Sequence, residues 1–149
     1  MKSVWEHASF GLDDSSVVQV SREEELQGAL EARHERLGKS CFAERFIPGR
    51  EFNVGLLEKE GRVEILPIAE VQFVDWPADR PRIVGYAAKW EPSSFEYHAT
   101  PRTFDLPSDD ESLVRKLEWL AYSCWRAFSL RGVCAVVDFG STQTVRQPS

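Results

Sequence analysis

With 149 residues, 42% apolar and 28% charged, the chain has the composition of a soluble globular protein with one core, and it is too short for most multidomain enzymes. No apolar run is long enough to span a bilayer, and Met1-Lys2-Ser3-Val4-Trp5-Glu6-His7 lacks the apolar stretch of a secretory signal, so a cytoplasmic location is expected. A net charge of −6 with scattered Lys and Arg argues against nucleic acid as a partner, and three histidines and three cysteines without ligand spacing or a CxxC pair argue against zinc.

In chain order, Ser16-Val17-Val18-Gln19-Val20 reads as a strand. Ser21-Arg22-Glu23-Glu24 reads as a capping box opening a helix through about Leu37, with Leu26, Ala29, Leu30 and Leu37 roughly on one face. Cys41 to Ile47 leads to a Pro48-Gly49 turn. Phe52, Val54 and Leu56 then alternate with Glu51, Asn53 and Gly55, the period of a half-buried strand. Lys59-Glu60-Gly61 closes a hairpin onto Val63–Leu66, and a further strand is expected over Glu70–Val74.

From Asp75 to Pro107 the pattern breaks down under five prolines, which predicts a long loop of the kind that is functional or disordered. A second capping box, Ser108-Asp109-Asp110-Glu111, opens the strongest helix. Its stripe is Leu113, Leu117, Leu120, Ala121, Cys124 and Phe128, and Gly132 is placed as its left-handed cap. The last strand is Val133–Phe139, and residues 140–149 carry no pattern. These elements predict an α+β layer, a mostly antiparallel sheet with two helices packed on one face. Cys41, Cys124 and Cys134 lie in apolar stretches and read as small buried hydrophobes.

Three polar groups stand out against apolar strands: Glu44, Asp138 and Lys89. A lone strand carboxylate is usually on the solvent face. Asp138 is the sharpest case, because Ala135-Val136-Val137 precede it and Phe139 follows it, a setting in which charge is costly unless paired or metal-bound.

The order of these segments resembles the D-alanine–D-alanine ligase branch of the ATP-grasp ligases, over about residues 2 to 139. Lys2 to Gly11 is similar to that family's lysine strand and Ser/Gly-rich phosphate loop. Glu44-Arg45-Phe46-Ile47-Pro48-Gly49-Arg50-Glu51-Phe52-Asn53-Val54 resembles its hinge and following strand. Tyr86-Ala87-Ala88-Lys89-Trp90 resembles the Tyr-x-Ala-Lys-Tyr segment of its mobile loop, and Val137-Asp138-Phe139 its metal-binding aspartate strand.

The resemblance implies a partial ATP-grasp domain over 1–139, with 1–43 in the small nucleotide lobe and 44–139 in the larger lobe. It also implies ATP and Mg2+ as cofactors. Lys2 would reach the nucleotide phosphates, and the loop holding Ser9 and Gly11 would fold over them. Backbone at Arg45 and Ile47, with the Glu44 carboxylate, would bind the adenine edge, and Glu51 the ribose hydroxyls. Lys89 would meet the terminal phosphate on loop closure, the one catalytic side chain in the set, and Asp138 would bind magnesium. The implied activity is ATP-dependent joining of a small amino-acid-like carboxylate to an amine through an acyl phosphate, in making peptidoglycan precursors.

The chain also departs from the family. Val136 stands where an arginine precedes the aspartate, Ser3 where a proline follows the lysine, and residues 140–149 contain no carboxylate where the family continues into Glu-x-Asn. Loss of an oxyanion-facing donor costs ~10²–10³ in rate. The amino-terminal domain and the upstream part of the nucleotide lobe are expected to be missing. An isolated chain without ligase activity is therefore expected, with a catalytically dead nucleotide-binding or interaction module as the alternative. Sheet edges left unpaired would favour self-association or a complementary segment.

Overall fold

The structure is a computed structural model that describes the backbone of residues 1–141 and the side chains of residues 1–132. In chain order the elements are β1 (Lys2–Ser3), a 3-10 turn (Asp14–Ser16), α1 (Glu23–Leu37), β2 (Cys41–Phe42), β3 (Arg50–Lys59), β4 (Arg62–Ile65) and β5 (Ala69–Val71). They continue with α2 (Tyr86–Trp90), α3 (Phe95–Ala99), β6 (Arg102–Thr103), a 3-10 turn (Ser108–Asp110), α4 (Glu111–Ala127) and β7 (Val133–Ser141). The class is α+β with antiparallel sheets, as the hairpin and helix patterns predict. Two compact units form: Met1–Phe46 with Phe73–Pro101, and Ile47–Gln72 with the chain from Arg102 onward. Of the two long helices, α1 lies beside β2 in the first unit, and α4 packs on β3 and β7 in the second.

The second unit is organised by β3. Its even positions Phe52, Val54 and Leu56 are fully buried, while Glu51, Asn53 and Gly55 between them are half-buried. The strand pairs antiparallel with β4, β5 and β7, and β5 carries β6 on its far side. The turn into β4 has two residues, Glu60 and Gly61, both at positive φ (52° and 74°), the signature of the tight hairpin turn that matches strand twist. Against the core side of β3 lie Leu113, Leu117, Ala121 and Trp125, a ridge of α4 spaced by four residues. Burying each such large side chain contributes ~1.5–3 kcal/mol, which makes this the main store of stability in the unit.

The i, i+4 ridge corrects the predicted stripe: Trp125 is buried, whereas Leu120 and Phe128 are exposed at 37% and 74%. Ser108–Asp110 forms a 3-10 turn without a side-chain cap, because the Asp110 carboxylate accepts from Arg50 Nη2 at 2.7 Å instead. Arg50 also forks onto Glu70, at 2.6 and 2.7 Å, so a charge trio closes the end of the core. Hydrogen bonds to Glu70 and Asp110 hold the Arg50 guanidinium well above its ordinary pKa, against the pull of burial. The helix ends before Gly132: Phe128 is its C-cap and Ser129 takes the left-handed conformation (φ 50°), while the Gly132 N–H donates to Glu58 at 3.0 Å.

The first unit departs further from expectation. Residues 17–20 are not a strand. The Asp13 N–H donates to Ser16 Oγ at 2.9 Å, and Ser16 Oγ donates to Asp13 Oδ1 at 3.2 Å, so a local side-chain turn displaces ladder pairing. At the start of α1 the expected Ser21–Glu24 capping box does not form: the N-cap is Arg22, without a side-chain cap bond, and it is the Glu25 carboxylate that accepts from the Ser21 N–H, at 2.8 Å. The Asp75–Pro107 stretch is not one long loop either. It contains α2 and α3, each closed off by a proline shortly after it, Pro92 and Pro101, and so cut short rather than prevented. Ser94 caps α3 by accepting from the Tyr97 N–H at 3.1 Å. β5 also stops at Val71; Val74 instead donates to the Ala99 carbonyl at 2.9 Å. Cys41 and Cys124 are free and half-buried rather than buried, and the Cys134 side chain lies outside the described residues. No helix among the described residues is long and apolar enough to cross a membrane.

Candidate functional site

In the first unit, the expected phosphate loop and the lysine helix are brought together. The loop turns sharply, with Ala8, Ser9 and Gly11 all at positive φ (56°, 63° and 63°). Three contacts then fasten it to α2 and the residues before it. Ser9 Oγ donates to the Val84 carbonyl at 2.8 Å, the Tyr86 N–H donates to the Leu12 carbonyl at 2.8 Å, and Trp90 Nε1 donates to the Ala8 carbonyl at 2.9 Å. Gly85 is what permits this approach: a Cβ there would lie 2.6 Å from the Leu12 carbonyl oxygen.

The other side of the loop is held by α1. The buried Arg33 donates to the Gly11 carbonyl, and Arg36 donates to Ser15 Oγ at 2.9 Å. Burial pushes the Asp13 carboxyl up, but hydrogen bonds from Ser15 and Arg36 outweigh it and leave the group below its ordinary pKa. A second brace comes from Arg80, which stacks over Trp76 and bonds Asp14 and Glu96 at 2.5 and 2.6 Å. Those two hydrogen bonds raise the Arg80 guanidinium above its usual range, and Arg80 lowers the Glu96 carboxyl.

Lys89 sits half-buried on α2 with no ion-pair partner among the described residues. Lys2, on β1, pairs with Glu44, each about half exposed (49% and 50%). A pair this exposed is worth ~0–1 kcal/mol, so an anionic ligand can replace it at little cost. Arg45 is exposed beyond β2, and the unit boundary falls between Phe46 and Ile47, inside the segment that resembles a hinge. Ile47 is 45% exposed.

Glu51 and Asp138 belong to the second unit. Glu51 lies on β3 opposite Val71 of β5 and Gly140 of β7, on the side away from Phe52. Asp138 lies opposite Asn53, two ladder positions from Glu51; its side chain is outside the described residues. Among the described residues no group of three or more His, Cys, Asp or Glu side chains is arranged to hold a metal ion. The donors on hand fit a polyphosphate by charge, through Lys2 and Lys89. The Ser9 hydroxyl proton is committed to Val84, and the Phe10 and Leu12 N–H groups donate to the His7 and Ser9 carbonyls, so in this geometry those loop donors are already engaged.

Sequence reading gave no role to Arg33, Trp90, Gly85 and Arg80, which hold the loop and the turn after it. Two signals could have found them: a glycine directly before the Tyr-x-x-Lys segment, and arginines three apart near the end of α1.

No protein-family model matches the chain, and no solved structure matches it. Curated relatives do. Over 100 residues, 67% of the chain, it is 32% identical to the D-alanine–D-alanine ligases of Thermotoga maritima and of Thermotoga sp. strain RQ2. Over 75 residues, half of the chain, it is 36% identical to the D-alanine–D-alanine ligase of Thermotoga petrophila. The chain spans 30% of the length of the first two and 22% of the third. It is thus similar, distantly and over part of its length, to a segment of D-alanine–D-alanine ligases, which are ATP-grasp enzymes.

Proposed function

We propose that this chain is the nucleotide-binding region of an ATP-dependent carboxylate–amine ligase of the D-alanine–D-alanine ligase kind. In this reading residues 1–43 belong to the small lobe and 44–139 to the larger lobe. The observation that supports it is the clasp between the loop at 8–12 and the segment leading into α2, in which two stretches 75 residues apart in sequence (Ser9 to Val84) are in contact. Lys2 and Lys89 would take the phosphates, Glu44, Arg45 and Ile47 the base, and Glu51 the ribose. Asp138 would be the carboxylate offered to magnesium. In such a ligase the terminal phosphoryl group passes to a carboxylate, and the amine of the second substrate then displaces phosphate from the acyl phosphate.

A second reading, a nucleotide-binding or interaction module without catalysis, is favoured by Val136, which cannot supply the charge that an arginine would. Calorimetric titration of the chain with Mg-ATP tests the first step of both. Saturable heat is expected, with affinity on the order of tenfold weaker or worse in Lys89→Ala, a loss typical of a charge-assisted hydrogen bond. Absence of heat at millimolar nucleotide contradicts the proposal. Phosphate release dependent on D-alanine would separate the ligase from the inactive module.

A further inference from the structure

Two surfaces described by neither the nucleotide reading nor the core are complementary in charge. The outward side of α4 has Trp119 at its centre, 68% exposed, with Tyr122 at 45% and the exposed basic residues Arg115, Lys116 and Arg126 around it. A tryptophan ringed by arginine and tyrosine has the composition of a binding hot spot, and it is unexpected on the free face of a helix in a chain of net charge −6. Glu111 pairs with Arg115 at 3.1 Å, leaving Lys116 and Arg126 without an ion-pair partner among the described residues.

The second surface is an open groove of about 640 Å³ along α1. Leu26, Leu30 and Cys41 form its apolar part, and Glu23, Glu31 and Glu35 its rim. The leucines are only half-buried, and the single buried residue of this 15-residue helix is Arg33. A mostly polar helix that buries none of its leucines leaves Leu26 and Leu30 half-open in this groove.

We infer that the α4 face of one copy docks into the α1 groove of a second copy, Trp119 entering the apolar part and the basic residues meeting the glutamate rim. The two patches differ, so the contact is head-to-tail, and it propagates to rings or open chains rather than stopping at a two-fold dimer.

Sedimentation velocity of the full chain over a concentration series tests this. The wild type is expected to grow in mass beyond the monomer, and less so at high salt. Trp119→Ala is expected to shift the association to on the order of tenfold higher concentration. The decisive pair is Glu31→Lys/Glu35→Lys, which reverses the groove, and Lys116→Glu/Arg126→Glu, which reverses the helix face. Each alone should remain monomeric, and an equimolar mixture should associate, because the intact face of the first meets the intact groove of the second. A monomeric wild type at all concentrations overturns the proposal. So does association that persists in both charge-reversed variants or that is unshifted in Trp119→Ala, as pairing through sheet edges would give, and so does a mixture that stays monomeric.

Discussion

In the unit built on β3, Phe52, Val54 and Leu56 are sealed against Leu113, Leu117, Ala121 and Trp125, whereas residues 1–46 bury no apolar side chain at all; their buried residues are Ser3, Ser16 and Arg33. The first region rests on hydrophobic area, at ~1.5–3 kcal/mol per large side chain. The second rests on hydrogen bonds and ion pairs, worth ~0.5–1.5 kcal/mol net apiece. The difference teaches where adaptability lies. A loop fastened by a few polar contacts opens at small cost, and such low-stability segments are where ligand-handling groups are placed. Lys2, Ser9, Gly11 and Glu44 all lie within residues 1–46, whereas Lys89 lies in the other part of the same unit, where Trp76, Val84, Ala88 and Ala99 are buried.

The contrast sets an order of expected effects. Phe52→Ala should be the most damaging change, lowering unfolding free energy by ~3–5 kcal/mol in denaturant titration, because it empties a fully buried site. A loss under ~1 kcal/mol would mean that β3 is not the organising strand. Gly85→Ala should come next. Its φ of −76° suits any residue, so the cost is spatial: the new methyl meets the Leu12 carbonyl, and backbone must move. Overpacking of this sort costs ~1–3 kcal/mol, and here it should also weaken Mg-ATP binding, read by calorimetry on the same protein. Smallest is Lys2→Met. The half-exposed pair with Glu44 contributes ~0–1 kcal/mol, so stability should hardly change while nucleotide affinity falls. A large loss of stability would show that the pair is structural.

The same contrast explains what could be read from the sequence. The period-two alternation of Phe52, Val54 and Leu56 and the spacing of Leu113, Leu117 and Ala121 announce the β3–α4 core, because burial imposes periodicity. Nothing comparable marks the first unit. Val17 to Val20 looks like a strand because β-branched residues favour one, yet the Asp13–Ser16 side chains win locally. The prolines after α2 and α3 hid two helices of five residues each, too short to show a period. For the candidate site, the order of the motifs made Ser9, Gly11 and Lys89 legible as segments. Their fastening through Trp90, Gly85 and Arg33 was not, since a hydrogen bond between residues 82 apart, such as Trp90 to Ala8, leaves no local pattern.

The central claim is that the clasped loop and α2 receive a nucleotide, and backbone amide NMR during titration with Mg-ATP tests it most directly. Shifts should concentrate at residues 8–12 and 84–90, and in Lys89→Ala they should need on the order of tenfold more nucleotide or worse. Saturable binding that shifts only amides elsewhere, or no shift at millimolar nucleotide, would contradict it.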